Sequence, residues 1–149
     1  MTPDALFQVA NLVALLGWIA LLFSSLRPRL ADRVASLLVP GLLAVTYVGL
    51  LAAHWGRADG GGFGSLDEVA ALFAQRHVLL AGWIHYLAFD LLVGAMIVRQ
   101  GRALALPFWM VLPCLPLTFL FGPAGYLLFL ALRLALRPGR SASHPVPTA

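Results

Sequence analysis

Two residue types able to move protons, His85 and Asp90, sit five positions apart in an otherwise apolar run, Gly82-Trp83-Ile84-His85-Tyr86-Leu87-Ala88-Phe89-Asp90-Leu91. The run extends over about residues 77–98, long enough to cross a bilayer, which takes roughly 20 apolar residues. An ionisable side chain at that depth costs on the order of 3 kcal/mol on insertion scales. Such a group is kept either by packing partners or by a function. Asp90 falls near mid-depth, thirteen residues after His77 and nine before Arg99. Tyr86 lies one helical turn earlier on the same face, since positions i and i+4 are neighbours, and Trp83 and Gly94 extend that face. His85 is about 140° around the helix from Asp90 at 100° per residue. The two are no intrahelical pair, but they can flank one cavity if the helix is covered on most sides.

Two readings of Asp90 stay open. It is a packing group bonded to Asn11, Thr46, Tyr47, Thr118, Tyr126 or Arg133 from other spans, or it is a protonatable, charge-stabilising group in an intramembrane site. His77 and His85 share a stripe, and His54 ends the preceding span on the same side. With only four histidines, one of them His144 in the tail, no metal site is expected. There is no Gly-x-Ser-x-Gly elbow, no His-Glu-x-x-His and no Walker loop, and the third span holds no serine. Nucleophilic hydrolysis is therefore not expected, and neither is a cofactor.

The surrounding chain sets where such a site must lie. At 61% hydrophobic and a mean hydropathy of +0.90, it is far more apolar than soluble domains, which average about 45–50%. All ten basic residues are arginines, clustered at segment ends, which suits lipid phosphates rather than nucleic acid. The single cysteine, Cys114, excludes an internal disulfide and reads as a small buried hydrophobe. The expected fold is an all-α membrane protein, a four-transmembrane-helix bundle spanning residues 1–140, with a disordered tail at 141–149.

The spans are expected at about 5–26, 34–55, 77–98 and 107–136. Arg27-Pro28-Arg29 should stop the first, and Pro40 should fall within the first two turns of the second. The first segment exceeds a signal-peptide core and should stay as a span. The fourth stretch is about 45 Å as a straight helix and carries Pro107, Pro113, Pro116, Pro123, Gly122 and Gly125. A kinked, tilted helix is the first reading, and a helix broken near Leu120 to Pro123 is the alternative, tolerable only where protein or a cavity satisfies the backbone. Between spans two and three, Ser65-Leu66-Asp67-Glu68 matches a capping box. With Leu66, Val69, Ala70 and Phe73 at helical spacing it predicts a short amphipathic interfacial helix. Four spans would put five arginines on one side and four or five on the other, which gives no orientation.

The same residues resemble the ABA-deficient-four-like family of small multispan membrane proteins, named for the plant factor needed for neoxanthin synthesis. The resemblance rests on Ser65-Leu66-Asp67-Glu68, on Trp83-Ile84-His85 with Ala88 and Asp90-Leu91, on Arg99-Gln100, and on Leu120-Phe121-Gly122-Pro123-Ala124-Gly125. It covers about residues 11–137. Plant members carry a transit peptide, whereas this chain starts directly at its first span, and its Arg- and Ala-rich composition suggests a bacterial member in the inner (cell) membrane. The resemblance implies action on an isoprenoid or carotenoid by redox-neutral, acid–base isomerisation. His85 and Asp90 would be the catalytic groups, and Trp83, Tyr86, Phe121 and Asn11 the substrate-binding residues. Membrane lipids and a hydrophobic isoprenoid or pigment are the expected partners, and a second copy of the chain, in a homo-oligomer, is the further expectation. The competing readings are a non-catalytic lipid- or pigment-binding subunit, and a small transporter subunit.

Overall fold

The computed structural model describes residues 2–54 and 60–136. The end of the expected second span at Trp55, the start of the following loop, and the tail at 141–149 lie outside the described residues. The described chain is helical: α1 (Pro3–Leu22), α2 (Pro28–His54), α3 (Leu66–Ala74), α4 (Arg76–Ala103), α5 (Phe108–Phe121) and α6 (Pro123–Ala135). Three of these, α1, α2 and α4, are long and apolar enough to cross a membrane. This is a membrane protein.

Helix starts and stops differ from the expected ones in two places, each for a backbone reason. The Arg27-Pro28 pair does not end the first helix. That helix ends at Leu22, and Pro28 opens the next, at the first-turn position where its missing amide costs nothing. Pro40 is consequently twelve residues into α2 rather than near its start. An interior proline clashes with the carbonyl four residues back and cannot donate to it. The helix absorbs this by widening to a π-turn over Val34–Leu38, with the Val39 amide donating to the Val34 carbonyl.

α4 is the central helix. Just over half of its apolar stretch (56%) is covered by the rest of the protein, against 28% for α1 and 17% for α2. Between apolar helices in lipid, burial from water adds little, so close packing over small residues must hold the bundle. Gly94 gives room to Trp18, where a Cβ would come within 2.8 Å of the indole, and Gly17 meets Leu91. Gly82 receives Phe73, which, with buried Leu72, docks α3 onto α4. Ser65 caps α3 by accepting from the Glu68 amide at 3.2 Å, as a capping box requires. The return bond is displaced by one residue, because the Glu68 carboxylate accepts from Gly64 at 2.9 Å.

The fourth stretch is two helices, not one. α5 and α6 meet at Gly122 and fold back on each other, each only about 20 Å long. A side chain at Gly125 would overlap both Thr118 and the Cys114 carbonyl, eleven residues earlier, which places the two helix backbones in direct contact. Phe129 fills the interior beneath them. The return is complete by Arg133, whose guanidinium donates to the Gln100 side chain near the end of α4 at 3.1 Å. The break foreseen near Leu120 to Pro123 is thus present, with a sharper consequence than a kink.

Gly125→Leu should pry this hairpin open, at a cost of about 1–3 kcal/mol from overpacking. Thermal unfolding in detergent should show that loss for Gly125→Leu and not for Gly49→Leu, since Gly49 has open space around it. Equal stability of the two variants would refute the close contact.

Candidate functional site

Asp90 is 8% exposed, at the middle of α4 and beneath the tip of the α5–α6 hairpin. Its carboxyl lies flat against Gly122, so that a Cβ there would come within 2.6 Å of Oδ1. Gly122 has φ +43° and ψ −94°, a conformation that L side chains rarely adopt, so both sterics and backbone demand glycine at this turn. The Oδ2 of Asp90 has no hydrogen-bond partner.

Four of the residues the sequence offers as packing partners bond elsewhere. Thr46 donates to Leu42, Thr118 to the Cys114 carbonyl, Arg133 to Gln100, and the Asn11 carbonyl accepts from Trp83. What adjoins Asp90 is Tyr86, whose hydroxyl is in electrostatic reach of the carboxyl and donates to the Leu120 carbonyl at 3.2 Å. That carbonyl belongs to the last turn of α5, where the break at Gly122 removes the regular intrahelical donors. Tyr86 therefore satisfies the broken backbone and abuts the acid at the same time.

A groove of about 450 Å³ opens beside this cluster, between α1, α4 and the hairpin, lined by Gln8, Asn11, Trp83, Tyr86, Phe119 and Leu120. Asn11 is fixed by donating to the Phe7 carbonyl at 2.7 Å, which aims its oxygen at the Trp83 indole N–H, 3.2 Å away. Trp83 in turn stands between Phe7 and Tyr86, with ring centroids 5.6 Å from each. Past Trp83, towards the start of α1, a second cavity of about 360 Å³ reaches the Asp4–Arg76 ion pair. Past Phe119, in the other direction, a third of about 270 Å³ is lined only by apolar side chains, with Trp18 edge-on to Phe119.

Of the expected site residues, the structure thus brings together Asn11, Trp83, Tyr86 and Asp90. It does not bring His85 to them. That ring stacks on Phe89 (4.4 Å) and leans on Tyr47 (5.6 Å), beside a separate cavity under α3. Phe121 is 63% exposed and outside the groove; Phe119 lines it instead. A helical count from Leu115 and Pro116 places Phe119 on their face, a signal visible once α5 is treated as its own helix. Asp90 itself does not line the groove but stands behind Tyr86. His54 and His77 stack at 3.9 Å near the start of α4, and no cluster of three metal-ligating side chains occurs among the described residues.

A covered carboxylic acid at the meeting point of a broken helix, beside an open groove, defines a membrane protein with an intramembrane polar site. The profile of the ABA DEFICIENT 4-like family matches residues 5–129, and the chain belongs to that family. No curated protein and no solved structure shows significant similarity to it.

The contact between Gly122 and Asp90 can be measured by a double-mutant cycle. Gly122→Ala should destabilise the protein by about 1–3 kcal/mol through backbone strain together with overlap on the carboxyl. In an Asp90→Ala background the overlap disappears, leaving strain alone, and the penalty should fall by at least about 0.5 kcal/mol. An unchanged penalty would place the carboxyl elsewhere.

Proposed function

We propose that the protein binds a carotenoid or related isoprenoid within the membrane and rearranges it by acid–base chemistry, with Tyr86 as the group in contact with the ligand and Asp90 as the proton store behind it. The observation that carries this reading is the chain from buried Asp90 to the Tyr86 hydroxyl to the wall of the groove. Family membership supports the substrate class. The aromatic faces of Phe7, Trp83, Tyr86 and Phe119 suit a flat, unsaturated chain.

The chemistry balances without an oxidant. A proton passes from Asp90 through the Tyr86 hydroxyl to an epoxide oxygen or a double bond, and a carbon–oxygen bond or the π bond opens. A neighbouring carbon then releases a proton, which returns to Asp90 along the same path. Developing positive charge on the ligand is stabilised by the carboxylate left at Asp90. His85, on the other face of α4, lines a different cavity from Tyr86, so a part for it in this reaction would need a second ligand position beside Tyr47.

A second reading draws on the broken helix. Paired helix ends facing a mid-membrane acid are how secondary transporters hold protons or cations, so a transport subunit is the alternative.

Expression in carotenoid-producing hosts, followed by pigment analysis, tests the first reading. The wild-type protein should convert part of one pigment into an isomer of equal mass. Asp90→Asn and Tyr86→Phe should each lower conversion by about 100-fold or more, the usual worth of a positioned proton donor, whereas His85→Ala should change it less than 10-fold. No isomer in hosts supplying a range of carotenoids would refute the enzymatic reading, and loss in His85→Ala equal to that in Asp90→Asn would refute the assignment to Tyr86.

A further inference from the structure

We infer that α5 and α6 form a re-entrant hairpin, dipping into the membrane from the cytoplasmic face and leaving by it, so that the groove at Asn11, Trp83 and Tyr86 opens towards the opposite leaflet. Neither the family assignment nor the proposed chemistry requires this, and it stands or falls independently of both.

Three observations carry it. Each arm of the hairpin is about 20 Å, too short for a hydrocarbon core of about 30 Å, whereas α1, α2 and α4 have 20, 27 and 28 residues. Depth markers along α4 then show where the arms begin and end. Val111, in the first turns of α5, rests on Gly101; the tip at Gly122 rests on Asp90; and Arg133, at the end of α6, is bonded to Gln100. Start and finish are both level with the last turns of α4, and only the tip is at its middle. Irregular backbone at that depth is tolerated when protein covers it, and Asp90 and Tyr86 cover this turn.

The third observation is charge. With three crossings and a returning hairpin, Arg27, Arg29, Arg33, Arg99, Arg102 and Arg133 all fall at one end of the bundle. At the other end, beside Asp4 and the His54–His77 stack, the described residues hold Arg76 alone. Among the described residues, six arginines against one is a decisive bias under the rule that cytoplasmic flanks are rich in Arg and Lys. The near-even split counted for four spans came from assigning the end of α6 to the wrong side. The cavity that runs from Trp83 to the Asp4–Arg76 pair therefore lies in the non-cytoplasmic half. A lipophile that reaches Tyr86 along that cavity comes from the outer leaflet.

The test needs both ends of the full chain in a bacterial host. A green fluorescent protein fused to the C-terminus should fluoresce, as it does only in the cytoplasm. In a Cys114→Ala background, Thr2→Cys should react with a membrane-impermeant maleimide in intact cells. Leu104→Cys and Leu136→Cys should react only in inverted vesicles. If Cys114→Ala does not accumulate, the same labelling is read with the buried native thiol retained. Residues 104 and 136 reacting from opposite sides would overturn the re-entrant hairpin, and so would a fluorescent C-terminus with a cytoplasmic residue 2. A cytoplasmic residue 2 with a dark C-terminal fusion would overturn the orientation.

Discussion

A carboxyl group halfway along a membrane helix has to be covered by protein, and in this molecule the cover is a glycine. Only a residue without a side chain can lie flat on Asp90, and only a residue free to adopt φ +43° can turn the chain there. The same position thus answers two demands, coverage of an acid and reversal of a helix. The turn creates a need of its own, because the last carbonyls of α5 lose their donors, and Tyr86 meets it from the adjacent turn of α4. Acid, glycine and phenol meet at one point: Gly122 covers the Asp90 carboxyl, and Tyr86, beside it, satisfies the Leu120 carbonyl at the broken end of α5.

That unit explains how the rest of the bundle is arranged. α4 is central because it must supply Asp90 and Tyr86 and still be packed on several sides. Its glycines accept large neighbours, Gly94 taking Trp18 and Gly82 taking Phe73, so that α1 and α3 can close on it. α1 contributes both core side chains, Ala10, Ala14, Trp18 and Leu21, and a wall of the groove, where Asn11 is held to Trp83. Polarity is graded along that wall, from an ion pair at one end, through single hydrogen bonds at the middle, to a wholly apolar cavity at the other.

Much of this was legible in the sequence, and the failures share a cause. Asp90 and Tyr86 on one face, with His85 turned away by some 140°, follow from helical geometry alone, and in the structure His85 packs on Tyr47 and Phe89 while Asp90 meets Gly122. The apolar runs locate α1, α2 and α4 because composition decides whether a segment can enter a bilayer. Pro28 is ambiguous in the sequence because proline both follows and begins helices, and in the structure it takes the second role. The π-turn is not legible in the sequence, because a span starting near Val34 puts Pro40 in its first two turns, where a proline needs no accommodation. The hairpin was half visible: Gly122-Pro123 marks a break, but nothing local tells a kink from a reversal. That choice is made by Gly125 against Cys114 and by Arg133 on Gln100, contacts between residues that no short window contains. Phe119 and Phe121 exchange roles because the face of a helix is counted from its own start.

Chain order adds a temporal dimension to the Asp90 cover. A membrane protein is made from its N-terminus, so α4 and its acid are synthesised before Gly122 and α6 exist. For that interval Asp90 has neither its glycine cap nor the broken helix end that Tyr86 serves. The nascent bundle therefore carries an open, water-seeking centre that closes only when the last helices arrive. The polar site is thus complete only once the last-made helices are in place.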